Sequence, residues 1–173
     1  MITVLSPAKK LSPECIANGK TYTRPIFLDR SKNLVTILKS LDPVGLQSLM
    51  GISQNLSELN WERFQSWTSD FSPNTSRQAA YSFKGDTYTG LDADSLSEKD
   101  MAFAQGTIRI LSGLYGVLRP LDLMLPYRLE MGTKLDNDKG KNLYEFWGHS
   151  ISETITQDLK DHKDKTILNC ASN

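Results

Sequence analysis

The sequence is poor in the residues that usually announce chemistry. Among its 173 residues are two cysteines, Cys15 and Cys170, and two histidines, His149 and His162. Two distant cysteines make neither a disulfide framework nor a metal-ligand spacing, and read as free thiols of a reducing compartment. Neither histidine has partners at a ligand spacing, so no metal and no cofactor is expected. No run approaches the roughly 18–20 apolar residues of a membrane helix. The opening MITVLSPAKK lacks the apolar core of a secretory signal, so a cytoplasmic chain with no membrane partner is expected. Net charge is zero, with 20 basic and 20 acidic side chains, which argues against coating nucleic acid by bulk charge.

What is present suits one globular domain with a sizeable core. Charge is unevenly spread. Residues 1–40 hold seven Lys or Arg against Glu14 and Asp29, a local +5 on a neutral chain. ITVLS, residues 2–6, reads as a short buried strand. Leu34, Val35, Leu38 and Leu41 give helical spacing over residues 29–41. Asp42-Pro43 reads as an N-cap followed by proline at the first helical position, starting a short helix that ends at Gly51. Ser53 reads as the cap of a second helix with Leu56, Leu59, Trp61, Phe64 and Trp67 on one apolar side. Residues 78–83 read as a short helix, and GDTYTGLD, residues 85–92, has strand-like alternation. Ser97 and Asp100 form a capping box for a helix through Met101, Ala104, Ile108 and Leu111, with Gly113 as its terminator. LYGVL reads as a strand and residues 141–159 as one long helix. TILNC, residues 166–170, reads as a buried strand. Because the chain stops three residues later, the domain is expected to continue beyond Asn173.

Several motifs fail on inspection. Ser6 and Lys9 have the S-x-x-K spacing of some serine acyltransferases, but the companion S-D-N and K-T-G elements are absent. A strand end presenting Ser6 and Lys9 to a cleft fits better. GDTYTG has phosphate-loop glycine spacing, yet Leu91-Asp92 replaces the required Lys-Ser/Thr. Asp136 and Asp138 resemble a calcium loop, but Gly140 comes one place early and Trp147 stands where the bidentate glutamate belongs. LDPVGLQSLMGISQNLSELNWERF places two short helices around Met50-Gly51-Ile52, the turn of a helix-hairpin-helix. Such a hairpin directs backbone N–H groups toward a phosphate, although ordinary helical hairpins also turn on a glycine.

The segment LSGLYGVLRPLDLMLPYRLEMG, residues 111–132, combines turn-forming glycines and prolines with Arg119, Asp122, Tyr127, Arg128 and Glu130. One reading is internal, with Arg119–Asp122 and Arg128–Glu130 pinning a buried loop. The other sets Arg119 and Arg128 at the rim of an anion-binding cleft, since the guanidinium fork suits phosphate. Together with LSPAKKL, FKGDTYTGL, LYEFWG and LNCASN, this segment resembles the YaaA family, bacterial peroxide stress resistance proteins, over essentially the whole chain. Members of that family run on past the equivalent of Asn173.

The resemblance implies a cytosolic protein of the hydrogen peroxide response, associated with limiting free iron and Fenton damage. It implies DNA binding, a mixed α/β fold, a helix-hairpin-helix and a positively lined cleft. The expected fold is therefore α+β (mixed α/β), a single domain over residues 1–173 with a mixed sheet flanked by helices and an inserted helix-hairpin-helix at about 43–66. Two function classes stay open. The first is DNA-backbone binding, with Lys9, Lys84, Arg119, Arg128, Gly51, Ile52 and Ser53 as the anion-binding set. The second is an enzyme acting on a nucleotide or nucleobase through Ser6, Lys9, Asp86, Tyr127 and Glu130. The motifs lean away from an enzyme, and direct iron sequestration lacks a ligand cluster.

Overall fold

The computed structural model describes residues 1–172 apart from Cys15 and Lys20. The thiol expected at Cys15, the charge of Lys20 and the terminal Asn173 therefore lie outside the described residues. In chain order the elements are β1 (Ile2–Leu5), β2 (Lys10–Leu11), α1 (Leu28–Lys39), α2 (Pro43–Met50), α3 (Gln54–Ser66), β3 (Arg77–Gln78), α4 (Ala79–Ser82), β4 (Phe83–Lys84) and α5 (Asp86–Leu91). There follow α6 (Glu98–Thr107), β5 (Ile108–Ser112), β6 (Gly116–Leu118), β7 (Leu123–Met124), α7 (Leu143–Trp147), α8 (Ser150–Leu159) and β8 (Ile167–Cys170). The fold is α+β, a single domain built on a mixed sheet.

The main sheet has the order β6-β5-β1-β8. Strand β1 runs parallel to both neighbours, and β6 returns antiparallel to β5. Two small antiparallel pairs, β2 with β4 and β3 with β7, tie the loops together. The alternation of β1 divides the core. Ile2 and Val4 pack against Ile155 and Leu159 of α8, whereas Leu5 joins the larger cluster that includes Leu34, Leu38, Phe64, Ile110, Tyr115 and Trp147. Arg109, next to Ile110 in β5, reaches the α8 side and pairs with Asp158 at 2.7 Å.

Five expectations need correction. The helix capped by Ser97 starts as expected, with the Ser97 hydroxyl accepting from the Asp100 amide, but it stops at Thr107. Residues 108–112 form a strand because Ile108-Arg109-Ile110 alternates and has a β-branched residue at every second position, and the ladder with Thr3, Val4 and Leu5 satisfies its backbone. GDTYTGLD is helical rather than extended, and its one buried side chain, Tyr88, donates to the Ser6 carbonyl at 2.8 Å. In α3 the buried stripe is Ser57, Asn60 and Phe64, while Leu56, Leu59 and Trp61 are more than a third exposed. Ser57 and Asn60 tolerate burial because each donates to a carbonyl of its own helix. The long helix over 141–159 is broken at Gly148, where φ is +51°; this turn lets Trp147 enter one core and Ile155 the other. The strand TILNC exists and pairs with β1, but it lies at the sheet edge and its residues are exposed.

Candidate functional site: a cleft beyond β1 and β5

The segment 111–132 leaves β5, turns into β6 and returns past the ends of β1 and β5. Two glycines make the close approaches that this path needs. A β-carbon on Gly113 would stand 2.2 Å from the Leu129 carbonyl oxygen, and Gly116, at φ +71°, lies flat against the Trp147 ring. The Trp147 indole N–H donates to the Gly113 carbonyl at 3.0 Å. Ser112 is a hub, its oxygen accepting the Tyr115 amide at 2.9 Å and lying 2.6 Å from the Tyr127 hydroxyl. The Tyr115 hydroxyl in turn binds the backbone of Leu125 and accepts from the Trp67 indole at 3.1 Å. Burial pushes the Tyr127 phenol above its ordinary range, offset in part by the Ser112 hydrogen bond, so it remains a neutral group.

These braces bring Tyr127, Arg128 and Glu130 beside Ser6 and Lys9, which follow β1. The five line one cavity of about 470 Å³ together with Leu111, Ser112, Leu129, Met131 and Tyr144. The Glu130 carboxylate holds two cations through one oxygen, Lys9 at 3.4 Å and Arg128 at 3.0 Å. The Arg128 Nε is buried and has no hydrogen-bond partner. A second concavity, about 660 Å³, lies between the hairpin and the same loop. Ser48, Met50 and Gly51 form one wall and Arg128, Glu130, Gly132 and Lys134 the other. The two hollows share Arg128, Glu130 and Gly132 and so form one groove.

The hairpin is well specified. The Asp42 carboxylate accepts from the Gly45 amide at 2.7 Å, and Gly51 ends α2 in the left-handed region at φ +60°. The amides of Gly51 and Ile52 both donate to the Gln47 carbonyl, so neither is left for an anion. The available donors are those at the first turn of α3, which lack intrahelical acceptors. Ser53, at the N-cap, makes no side-chain cap bond and keeps its hydroxyl for another partner.

Other expected residues lie elsewhere. Both arginine pairs expected within the segment are present, but they differ in setting. Arg119 binds the fully buried Asp122 through its guanidinium at 2.8 Å and its amide at 2.7 Å, and donates to the Arg24 carbonyl; it lines neither hollow. Lys84 sits opposite Lys10 across β2 and β4 and faces a separate concavity with Glu14, Arg77 and Asp94. Asp86 is exposed at the start of α5 and outside the cavity. Ser112, Lys134 and Tyr144 were missed. Ser112 lies within residues 111–132, but nothing in a lone serine marks a hub, and Tyr144 is one residue of the LYEFWG motif. Among the described residues no three His, Cys, Asp or Glu side chains converge on a metal position, and no helix is long and apolar enough to cross a membrane.

Fold and cleft define a mixed α+β domain with a groove between a helical hairpin and an arginine-bearing loop. Over residues 1–173 the sequence matches the family described as peroxide stress protein YaaA, and the chain belongs to that family. It is also similar to a UPF0246 protein of Idiomarina loihiensis, 53% identical over 173 residues, an alignment spanning all of this chain and 67% of that relative. Membership gives the chain a role in the response to peroxide stress.

Proposed function

We propose that the chain binds DNA through its phosphates, largely without regard to sequence, and thereby helps limit iron-dependent damage in the cytoplasm. The observation that supports this reading is the continuity of the groove. Gly51 of the hairpin turn, Lys134, Arg128 and Lys9 border one concave path, with Glu130 between the last two. Backbone amides and cations recognise phosphate and carry no base readout. The link to iron follows from electrostatics. Each phosphate neutralised by Lys or Arg releases condensed cations, ferrous iron among them, so the iron that gives one electron to peroxide, becoming ferric and leaving hydroxide and hydroxyl radical, does so farther from the sugar. Two unrelated duplexes of equal length, compared by fluorescence anisotropy, test the reading. Similar affinities that fall steeply with salt are expected; a strong preference for one sequence, or no binding, refutes it.

A second reading, catalysis on a nucleotide or nucleobase, is favoured by the meeting of Ser6, Lys9, Tyr127 and Glu130 in one cavity. It is tested by product analysis after incubation with deoxynucleotides and short DNA. Turnover lost in Lys9→Ala supports it, and unchanged substrate removes it.

A further inference from the structure

The groove has a side chamber that backbone contact does not use. Phosphate binding needs a path along the hairpin, Lys134 and Arg128, whereas the cavity of about 470 Å³ opens from that path past Arg128 and Glu130. Its size lies within the roughly 300–1,000 Å³ of small-molecule pockets. Its walls are of two kinds. Leu111, Leu129 and Met131 offer apolar surface, and Ser6, Lys9, Arg128 and Glu130 offer a few polar groups. Apolar walls with a few polar groups suit the faces and hydrogen-bonding rim of a nucleobase.

Two further observations point to an occupant. Tyr144 lines the cavity while its side chain is mostly exposed, at 66% for the residue, and its phenol makes no hydrogen bond or ring contact among the described residues. A free aromatic at the rim of a charged groove is a stacking platform for a base. Arg128, whose buried Nε has no hydrogen-bond partner, lines both hollows, and an orphaned donor is costly unless the side chain shifts to meet a ligand group.

We propose that this chamber seats a single nucleotide turned out of DNA, its base against Tyr144 and its phosphate on Lys9 and Arg128. This rests on the DNA-binding reading above. The same chemistry would fit a free mononucleotide, but the chamber opens from the phosphate path, which favours a nucleotide still joined to its strand.

The test compares two duplexes of equal length, one fully paired and one with a single unpaired nucleotide, by anisotropy across salt. The unpaired nucleotide needs no unpairing on eversion, so its duplex is expected to bind at least tenfold tighter. Tyr144→Ala is expected to bring the two affinities together. Calorimetric titration with a free deoxynucleoside monophosphate completes the set and is expected to show far weaker binding. Equal affinities in the unsubstituted protein, with both falling as salt rises, overturn the nucleotide seat and leave backbone binding standing. A preference that survives Tyr144→Ala overturns it too, because flexible DNA rather than a seated base is then being read. Tight monophosphate binding without binding to either duplex overturns both the eversion and the DNA reading.

Discussion

Substituting Gly113 by alanine tests whether the 111–132 segment is braced as described. A β-carbon there meets the Leu129 oxygen at 2.2 Å, the Leu129 carbonyl carbon at 3.0 Å and the Glu130 carbonyl carbon at 3.1 Å. All three are backbone atoms, so no side-chain rotation relieves the overlap. Restoring an ordinary 3.4 Å contact requires a shift of more than about an ångström. Gly113 itself is held by the Trp147 indole, and its neighbour Ser112 by Tyr115 and Tyr127. Overpacking against fixed neighbours costs roughly 1–3 kcal/mol, and backbone collision puts Gly113→Ala at the upper end, about 2–3 kcal/mol. For a chain of this size that is a fall in Tm of roughly 4–12 °C. Gly106→Ala in α6 is the control. Its β-carbon meets nothing within 4 Å, and replacing a helical glycine stabilises by up to about 1 kcal/mol. Scanning calorimetry should move the two variants in opposite directions. An unchanged or raised Tm for Gly113→Ala would refute the packing of Gly113 on the 129–130 backbone.

Arg119→Ala strands the buried Asp122 carboxylate, which also accepts from Thr23 at 2.6 Å. It should cost about 3 kcal/mol in urea unfolding while leaving the salt dependence of DNA binding as it was. Glu130→Gln frees Lys9 and Arg128 from their shared anion. Exposed pairs are worth at most about 1 kcal/mol, so DNA affinity should rise up to about fivefold, most clearly at low salt; weaker binding would show that Glu130 itself serves the ligand. Burial raises the phenols of Tyr88, Tyr115 and Tyr127 above the ordinary value of 10.0. A raised folded-state value means stability fully present below about pH 10 and lost as pH rises beyond it. Tm should therefore be insensitive to these groups up to that point and fall above it, with tyrosinate absorbance appearing only on unfolding.

Local signals with a direct physical cause were legible in the sequence. Asp42-Pro43, Gly51 and the Ser97 cap each mark a boundary through one backbone requirement, and the structure places elements there. What escaped depended on neighbours distant in sequence. Ile108 and Leu111 fit helical spacing as well as a strand, and only pairing with β1 decides the matter. Leu56, Leu59 and Trp61 read as core because they are apolar, whereas the packing surface of α3 is chosen by α1 and α2. Of the candidate site, Ser6 and Lys9 meet Tyr127, Arg128 and Glu130 in one cavity although the two groups lie more than 100 residues apart in sequence. Arg119 looked equivalent to Arg128, but Asp122 is close enough to saturate it, which residue type alone does not reveal.

The most direct test of DNA binding through this groove is the slope of log affinity against log salt for the unsubstituted chain, Arg128→Ala and Arg119→Ala. Each phosphate contact contributes roughly −0.9 to that slope on duplex DNA. The expected result is a steep negative slope that becomes shallower by about one contact in Arg128→Ala and stays the same in Arg119→Ala, with circular dichroism showing both variants folded. A flat slope, or one unaltered by Arg128→Ala, would contradict the assignment of the groove to the DNA backbone.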